Sequence, residues 1–367
     1  MKAPRFWYQP EGRAARLLAP FEKLYRAGAV LRRFFAKPYR ASIPVICIGN
    51  VVAGGSGKTP TALALAELLL KQGHKPVFVT RGYGGSQRGP LRVDAAHHGA
   101  DDVGDEALLL LRVAPVYIGC DRAATIREAE KEASHIILDD GLQNPHIQPS
   151  TALLVMDGAV GLGNGHMIPA GPLREPLAEA MQRVDAVLVV GGDLISSPPL
   201  AGLMRQHQVE NERGLVNTGA SVDQPPPPPP ASGVGASMAH NSFIQECNKP
   251  ILHAHLQPVL PVDFPRQDQF LAFAGIGRPE KFYDLCRKAG LTLAATRDFA
   301  DHHPFTRSEL DDLQNQARAL GAHLLTTEKD YVRLHPAIRA HILTFPIRLV
   351  FDDKDAIEAF VAGHFHA

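Results

Sequence analysis

The feature that most constrains this chain is a glycine-rich turn between a short apolar run and a predicted helix. Residues 43–51 (IPVICIGNV) are apolar and rich in β-branched side chains, a composition typical of a buried parallel strand. Residues 59–72 follow as a helix, with Pro60 in its first turn. The turn between them consists of Val52, Ala53, Gly54, Gly55, Ser56, Gly57, Lys58 and Thr59. A strand–turn–helix unit of this kind directs backbone N–H groups and a helix N-terminus at an anion, so we predict a phosphate-binding loop.

The side chains of this loop indicate a nucleoside triphosphate as the anion. In the pattern G-x-x-x-x-G-K-[ST], the lysine reaches the β- and γ-phosphates and the hydroxyl ligates Mg²⁺, which are the roles expected here for Lys58 and Thr59. Val52 stands where the pattern has its first glycine. Gly54 and Gly55 supply flexibility within the turn, so we keep the prediction of ATP and Mg²⁺.

A second predicted strand ends in two carboxylates. Residues 135–141 (HIILDDG) place Asp139 and Asp140 directly after an apolar run. In doubly wound sheets, ligands bind at the carboxyl ends of the strands, which is where a P-loop enzyme holds its second Mg²⁺ anchor. An Asp pair alone is more often a turn or a helix cap. Together with the loop, it favours a metal site.

Four further segments carry candidate site residues. Residues 80–85 (TRGYGG) form a basic turn in which Arg81 either holds a phosphate or shapes a bend. Asp105 and Glu106 open a helix predicted at 103–113, where simple capping is the favoured explanation of carboxylates when no other information is used. Arg174 and Glu175 lie in a proline-framed stretch. His302 follows Asp301, and an adjacent carboxylate can make a histidine more basic and suit it to proton transfer.

The remaining pattern predicts an α/β fold in two parts. Repeated strand–helix units imply a parallel sheet flanked by helices, of the P-loop NTPase type. The alternation stops near residue 191, and a second, smaller α/β domain follows. The expected divisions are 1–40, a basic amphipathic helix; 41–195, the P-loop domain; 196–255, a Pro/Gly-rich linker or insertion that includes six prolines at 225–230; and 256–367, the C-terminal domain.

The N-terminal segment is basic and amphipathic. Residues 1–40 contain ten Lys or Arg and two Glu, a net charge of about +8, whereas the whole chain has a net charge of zero. A helix is expected at 13–36, with a kink or a fresh start at Pro20. One face carries an apolar stripe, formed by Leu17, Phe21, Leu24, Gly28, Leu31 and Phe35. The stripe suits either an anionic membrane surface or the protein's own core, and both interpretations stay open.

Composition excludes several classes. A net charge of zero gives no reason to expect a nucleic-acid partner, and no obligate protein partner is evident. The four cysteines form no CxxC pair, so we expect reduced thiols in a cytosolic protein. No apolar run reaches the ~18 residues that span a bilayer, and the N-terminus does not resemble a signal peptide. These features predict a cytoplasmic protein that attaches peripherally to a membrane.

The ordered set of motifs resembles the tetraacyldisaccharide 4'-kinase family. The motifs cover about residues 40–335: the phosphate loop with its strand, then TRGYGG, VGDEALLL, ILDDGLQN, PAGPLREP, FAGIGRPEKF, FADHHPFT and TTEKD. The resemblance implies transfer of the ATP γ-phosphoryl group to the 4'-hydroxyl of an acylated disaccharide 1-phosphate, in lipid A biosynthesis. It also implies attachment to the cytoplasmic face of the bacterial inner membrane. The proline run at 225–230 is not part of the family pattern.

The resemblance also implies roles for individual residues. Asp105 would accept the proton of the sugar hydroxyl, and His302 would orient and polarise Asp105. Lys58 would hold phosphate, while Thr59, Asp139 and either Asp140 or Glu106 would serve Mg²⁺. Arg174 and Glu175 match a stretch on the substrate side of the cleft, and Arg81 of the basic turn is taken with them as a candidate substrate contact.

Three other interpretations remain at this point. A P-loop nucleotide switch or metallochaperone would use the same loop, but the sequence has neither an N-K-x-D-like run nor a CxC or CxxC pair. A non-enzymatic membrane adaptor would leave Lys58 and Asp139 unexplained. A soluble small-molecule kinase would not need the basic N-terminal helix.

Overall fold

The computed structural model describes residues 4–9, 12–192 and 249–365. The predicted insertion lies mostly outside these residues, as do the proline run at 225–230 and Cys247. Cys47 and Cys286 are buried, and Cys120 is exposed. Within the described residues, no helix is both long enough and apolar enough to cross a membrane.

The helices confirm most of the predicted positions. They are α1 Arg13–Phe34, α2 Lys58–Lys71, α3 Ala100–Val103, α4 Asp105–Leu110, α5 Arg122–Ala129, α6 Leu177–Met181, α7 Pro279–Lys288, α8 Arg307–Ala319, α9 Glu328–Tyr331, α10 Pro336–Arg339 and α11 Lys354–Phe365, with a 3-10 turn at Arg5–Tyr8. The single helix predicted at 103–113 is divided, because Gly104 has a φ of 85°.

The strands form two main sheets and one short pair. They are β1 Tyr39–Arg40, β2 Val45–Gly49, β3 Pro76–Thr80, β4 Leu91–Arg92, β5 Val116–Ile118, β6 His135–Asp139, β7 Ile147–Gln148, β8 Thr151–Asp157, β9 Ala186–Val190, β10 Ile251–Pro258, β11 Gln269–Ala274, β12 Thr292–Asp298, β13 Ala322–Thr327, β14 Ile342–Phe345 and β15 Ile347–Phe351.

The larger sheet has nine strands in the order β15-β10-β9-β8-β2-β6-β3-β5-β4. Its seven inner strands are parallel, and β15 and β4 pair antiparallel at the two edges. Hydrophobic clusters lie on both faces of this sheet. Burial on both faces explains why β2, β6 and β8 are continuous apolar runs without alternation. The predicted doubly wound α/β fold is confirmed.

The smaller sheet has four parallel strands in the order β12-β11-β13-β14. Separate hydrophobic clusters form around it. A second α/β unit was therefore predicted correctly.

The predicted C-terminal boundaries are wrong. Residues 251–255 of β10 fall in the expected linker and residues 256–258 in the expected C-terminal domain, but β10 pairs with β9 of the large sheet. Strand β15 returns to pair with β10, and α11 contributes Ile357 and Phe360 to the core of the first unit. The first unit is therefore discontinuous in sequence. The return of the chain to the first sheet was not predictable from local sequence, because β10 forms its backbone hydrogen bonds with β9, a strand far away in the chain.

Helix α1 continues through Pro20 without a fresh start. Pro20 is exposed, so water can satisfy the backbone carbonyl that loses its partner there. The apolar side of α1 is exposed too: Leu24 retains 73% of its accessible surface, and Leu17, Leu31 and Phe34 are similarly exposed. The stripe therefore does not pack against the protein's own core.

The charged side of α1 contacts the protein body. Arg26 and Arg33 pair with Glu179, and Arg33 also pairs with the buried Glu175. Glu22 Oε1 lies 2.7 Å from His166 Nδ1. The helix is thus held by its polar face and presents its apolar face outward, the reverse of an ordinary surface helix.

Candidate active site

The phosphate loop joins β2 to α2 at the carboxyl edge of the large sheet. Gly54 and Gly57 have φ values of 127° and 95°, which side chains with a Cβ rarely adopt. The loop is held by the backbone of the proline-framed segment, since Ala53 N donates to Pro172 O at 2.8 Å. The Asn50 amide donates to Val52 O at 2.6 Å. These contacts preform an anion cradle with Lys58 as the first residue of α2.

Lys58 and Asp140 face each other across this cradle. The Lys58 Nζ atom is 3.6 Å from Asp140 Oδ1, and the same oxygen accepts from Arg174 Nη1 at 2.9 Å. Burial raises the pKa of Asp140, but the positive charges of Lys58 and Arg174 outweigh it and lower the pKa below its ordinary value. Asp140 is therefore a carboxylate that already has two cationic partners.

Asp139 has the opposite environment. It ends β6, is 1% exposed, and neither of its carboxylate oxygens has a hydrogen-bond partner within the described structure. Burial and the negative charge of Glu106 raise the pKa of Asp139 to about 7. Buried carboxylates are normally paired or bound to a metal, because an isolated buried charge is costly. The residues therefore fit a divalent cation at Asp139.

The protein would supply few ligands to that cation. No group of three or more His, Cys, Asp or Glu side chains in residues 4–9, 12–192 and 249–365 could enclose a metal. Mg²⁺ keeps several waters and is usually bound by one or two side chains together with substrate phosphates. Thr59, the second residue of α2, lies on the same edge as Asp139.

A second cluster joins the two units. Asp105, the first residue of α4, is buried, and its Oδ2 lies 3.0 Å from His302 Nδ1 and 3.2 Å from Arg333 Nε. Lys329 Nζ lies 3.3 Å from His302 Nε2 and 3.2 Å from Glu106 Oε1. An ammonium group only donates, so His302 Nε2 accepts and Nδ1 carries the proton that is donated to Asp105.

The charges in this cluster keep Asp105 ionised. Burial raises the pKa of the Asp105 carboxyl, but the hydrogen bond from His302 and the charges of Lys329 and Arg333 outweigh it and lower the pKa. Burial lowers the pKa of Lys329, but the neighbouring Glu106 and Asp105 raise it by more. The cluster thus combines an ionised carboxylate with a histidine whose tautomer is fixed.

Comparison with known proteins decides the family. The family model described as tetraacyldisaccharide-1-P 4'-kinase matches residues 14–366. The chain belongs to this family.

Named relatives agree along the whole length. The tetraacyldisaccharide 4'-kinase of Methylobacterium nodulans is 44% identical over 358 residues, which cover 97% of this chain and 94% of the relative. That of Gluconacetobacter diazotrophicus is 43% identical over 362 residues, with 98% and 96% covered. The crystal structure of LpxK from Aquifex aeolicus in complex with ATP matches with a TM-score of 0.67 at 22% identity, covering 96% of this chain and 99% of that one. At this identity, the match shows a shared fold.

The predicted site residues of this 4'-kinase family member lie in three places. Lys58, Thr59, Asp139 and Asp140 gather at the phosphate loop, and Asp105 and His302 meet between the units. Arg81 is exposed after β3. Its neighbour in the TRGYGG turn, Tyr83, places its ring 5.3 Å from that of His302.

Glu175 cannot readily contact a substrate. It is buried, and its Oε1 accepts from Gln143 while its Oε2 is paired with Arg33 and Arg183. Glu175 thus holds Arg33 of α1 and Arg183 against the protein body. Glu106 is similarly engaged, by Lys329.

Sequence reasoning missed Lys329 and Arg333 as members of the interdomain cluster. The sequence did contain one indication of a functional role for Lys329, because it lies between two acidic residues in the TTEKD motif. Asp157 was also missed. It ends β8 and accepts from Arg278 and Lys281 of the second unit, and nothing in its local sequence marks it.

The raised pKa of Asp139 predicts a pH effect on the stability of this 4'-kinase family member. Between pH 4 and 7, the folded state retains a proton that an ordinary unfolded carboxyl has lost, so the free energy of unfolding should fall as pH rises. Between pH 5 and 8 in the absence of Mg²⁺, the free energy of unfolding should decrease by about 2–3 kcal/mol less in Asp139→Asn than in the wild type. Urea titrations at both pH values measure it.

The exposed Asp311→Asn variant is the matched control, because it removes one carboxylate that has no such environment. An equal pH dependence in wild type, Asp139→Asn and Asp311→Asn would contradict the assignment of an unpaired carboxyl to Asp139.

Proposed function

We propose that this chain transfers the γ-phosphoryl group of ATP to the 4'-hydroxyl of a tetraacyldisaccharide 1-phosphate, giving the 4'-phosphorylated lipid A precursor, lipid IVA. The observation that carries the proposal is the contact between Asp105 and His302. These residues are 197 positions apart, and Oδ2 of Asp105, on the unit that bears the phosphate loop, lies 3.0 Å from Nδ1 of His302, on the second unit. Family membership favours this reaction over a nucleotide switch, a metallochaperone, a membrane adaptor or a soluble small-molecule kinase.

Phosphoryl transfer depends mainly on positioning and on neutralising charge. The backbone of the phosphate loop and Lys58 bind the phosphates of ATP, and Lys58 exchanges its contact with Asp140 for a contact with phosphate. Asp139 and Thr59 would hold Mg²⁺, which when bound neutralises charge on the phosphates. Asp140 and Glu106, each already paired with cations, serve this site indirectly.

Asp105 acts on the acceptor hydroxyl. As the sugar oxygen forms its bond to the γ-phosphorus, the bond from that phosphorus to the β–γ bridging oxygen breaks, and ADP leaves. The hydroxyl proton passes to Asp105. His302 donates through Nδ1 to Asp105 and fixes its orientation. Because Asp105 is buried when the two units are in contact, the acceptor enters before they close.

Arg81 and Arg174 are the proposed cationic contacts for the acidic substrate. Arg174 is tied to Asp140 beside the phosphate loop, and Arg81 is exposed at the end of β3, next to the turn that reaches His302. Guanidinium groups suit phosphate recognition because they can donate two parallel hydrogen bonds.

A direct assay tests the function. Purified protein, Mg²⁺ and ATP labelled in the γ-phosphate are incubated with a tetraacyldisaccharide 1-phosphate, and products are separated by chromatography. We expect label at the 4' position of the lipid. Label that remains in ATP, or appears only in free phosphate, would refute the kinase proposal.

The exposed face of α1 supports peripheral attachment to the cytoplasmic face of the inner membrane. A helix with outward Leu and Phe side chains and nearby Lys and Arg residues suits the surface of an anionic bilayer. The acylated acceptor would then reach the site from the membrane without passing through water. Membrane lipid and acylated substrate are thus the proposed partners.

We expect Leu24→Glu combined with Leu31→Glu to weaken binding to anionic vesicles by about tenfold or more, because each leucine loses ~1.5–3 kcal/mol of burial in lipid. Both side chains are exposed, so the fold should persist. Co-sedimentation with vesicles measures the loss. Leu320→Glu, which changes an exposed leucine on another surface, is the control, and equal binding by both variants would remove α1 from the membrane contact.

A further inference from the structure

The second unit lies close to the phosphate loop. A Cβ atom placed on Gly277, in the turn after β11, would lie 3.9 Å from the backbone nitrogen of Gly55. Gly55 lies in the middle of the predicted anion cradle. The residue that follows Gly277 therefore projects from the second unit at the edge of the nucleotide site.

That residue is Arg278. Its guanidinium Nη1 lies 2.8 Å from Asp157 Oδ2, and its side chain keeps 35% of its accessible surface. Asp157 is 5% exposed and ends β8, the strand beside β2, which leads into the phosphate loop. Arg278 is thus held close to the loop without being enclosed.

The ion pair at Asp157 contains more positive than negative charge. Lys281 Nζ lies 2.9 Å from the same Asp157 oxygen, while Asp157 Oδ1 accepts from Ala159 N at 3.0 Å. One carboxylate therefore faces two cations, and Lys281 alone can neutralise it. Arg278 supplies a surplus positive charge beside a site for a polyanion.

Tyr8 contacts the phosphate loop and lies close enough to Arg278 to be affected by its charge. The Tyr8 hydroxyl donates to Ala53 O at 3.3 Å, and a Cβ on Gly54 would lie 3.5 Å from its oxygen. Burial raises the pKa of Tyr8, and the charge of Arg278 opposes that rise. Arg278 therefore acts electrostatically on a group bonded to the phosphate loop.

We propose that Arg278 leaves Asp157 when ATP binds and donates to the γ-phosphate, as an arginine supplied in cis by the second unit. This inference rests on the proposed kinase function. The second unit also supplies His302 at the acceptor side, so the transferred group lies between residues of this unit and the phosphate loop. A guanidinium at that place stabilises the charge of the transition state, and Asp157 holds the side chain nearby in the absence of nucleotide.

The alternative is that Arg278 serves only to clasp the two units through Asp157. A double-mutant cycle separates these roles. If Arg278 acts only through Asp157, then R278A should have no further effect once Asp157 has become Asn. If it contacts the γ-phosphate, the effect of R278A should persist in the D157N background.

We therefore compare wild type, R278A, D157N, D157N/R278A and the matched cation variant K281A. R278A should lower kcat by about 10²–10³-fold in both backgrounds, because an arginine at the transferred phosphate acts mainly in the transition state. D157N and K281A should each change kcat by less than about tenfold. R278K should recover part of the loss, since lysine keeps the charge without the fork.

Nucleotide affinity gives a second readout that needs no acceptor. R278A should lower the ratio of Mg·ATP to Mg·ADP affinity by about fivefold or more, measured by calorimetry, while K281A leaves it unchanged. The inference is overturned if R278A loses its effect on kcat in the D157N background or leaves the affinity ratio intact. Failure of wild type to label the disaccharide would instead refute the kinase proposal, and the affinity ratio would still decide the role of Arg278.

Discussion

Replacing Lys58 with alanine is expected to reduce kcat for phosphoryl transfer by at least about 10³-fold while the protein stays folded. Lys58 is the cation built into the phosphate loop at the start of α2, and its described partner is the carboxylate of Asp140 at 3.6 Å. When ATP is absent this pair contributes little stability, because Asp140 also has Arg174. When ATP is present, no other side chain in the loop can carry positive charge to the phosphates.

Lys71→Ala is the matched control, because Lys71 is an exposed lysine at the other end of the same helix. It should retain wild-type turnover. Steady-state kinetics with labelled ATP, together with thermal unfolding of both variants, measures the difference. Turnover within about threefold of wild type in Lys58→Ala would remove the phosphate loop from the catalytic site.

Asp105→Asn should lower kcat by about 10²–10⁴-fold and leave the affinity for Mg·ATP nearly unchanged. The amide keeps the shape of the side chain but cannot accept the proton of the acceptor hydroxyl. Asp105 has no contact with the phosphate loop among the hydrogen bonds and ion pairs of the described residues. The loss should therefore appear in kcat rather than in nucleotide binding.

A capping role for Asp105 predicts a different result. Asp105 Oδ1 does accept from Glu106 N at 2.8 Å at the start of α4. Asp102, whose Oδ2 accepts from Gly99 N at 2.8 Å at the start of α3, offers a comparison with a pure cap. Asp102→Asn should change stability slightly and kcat hardly at all. Similar effects on kcat in the two variants would return Asp105 to a structural role.

The phosphate loop shows what local sequence can predict. Its strand, turn and helix are neighbours in the chain, and glycine, lysine and threonine occupy fixed offsets along one connection. The observed β2 and α2 differ from the predicted ranges by two residues or fewer at each end. Asp139 was also predictable, because a parallel strand that ends in a carboxylate must point it to the ligand-binding edge of the sheet.

The membership of the large sheet shows where local sequence fails. Strands β10 and β15 mix apolar and polar residues, and their neighbour in the chain is the second unit. They join the first sheet because the outer edge of β9 is free to pair with β10, and β10 in turn pairs with β15. The hydrophobic pattern of a strand does not show which sheet edge it will pair with.

The orientation of α1 was undetermined for a similar reason. The apolar stripe is clear in the sequence, but a helix that lies on a membrane and a helix that packs on a protein core have the same hydrophobic periodicity. The positions of Glu175 and Glu179 decided the matter, since they attract Arg33 and turn the stripe outward.

The sequence by itself thus determined an α/β chain with a phosphate loop, a carboxylate at the adjoining strand and an amphipathic basic N-terminal helix. These features arise from residues within about one helix or strand of each other, where backbone geometry fixes the spacing. Only the tertiary structure decided that Lys329 and Arg333 join the pair of Asp105 and His302 that the family resemblance implied, and that Arg278 lies near the loop. Such contacts join segments separated by more than a hundred residues, and they form because packing two sheets together lowers the free energy of the whole chain rather than of any one segment.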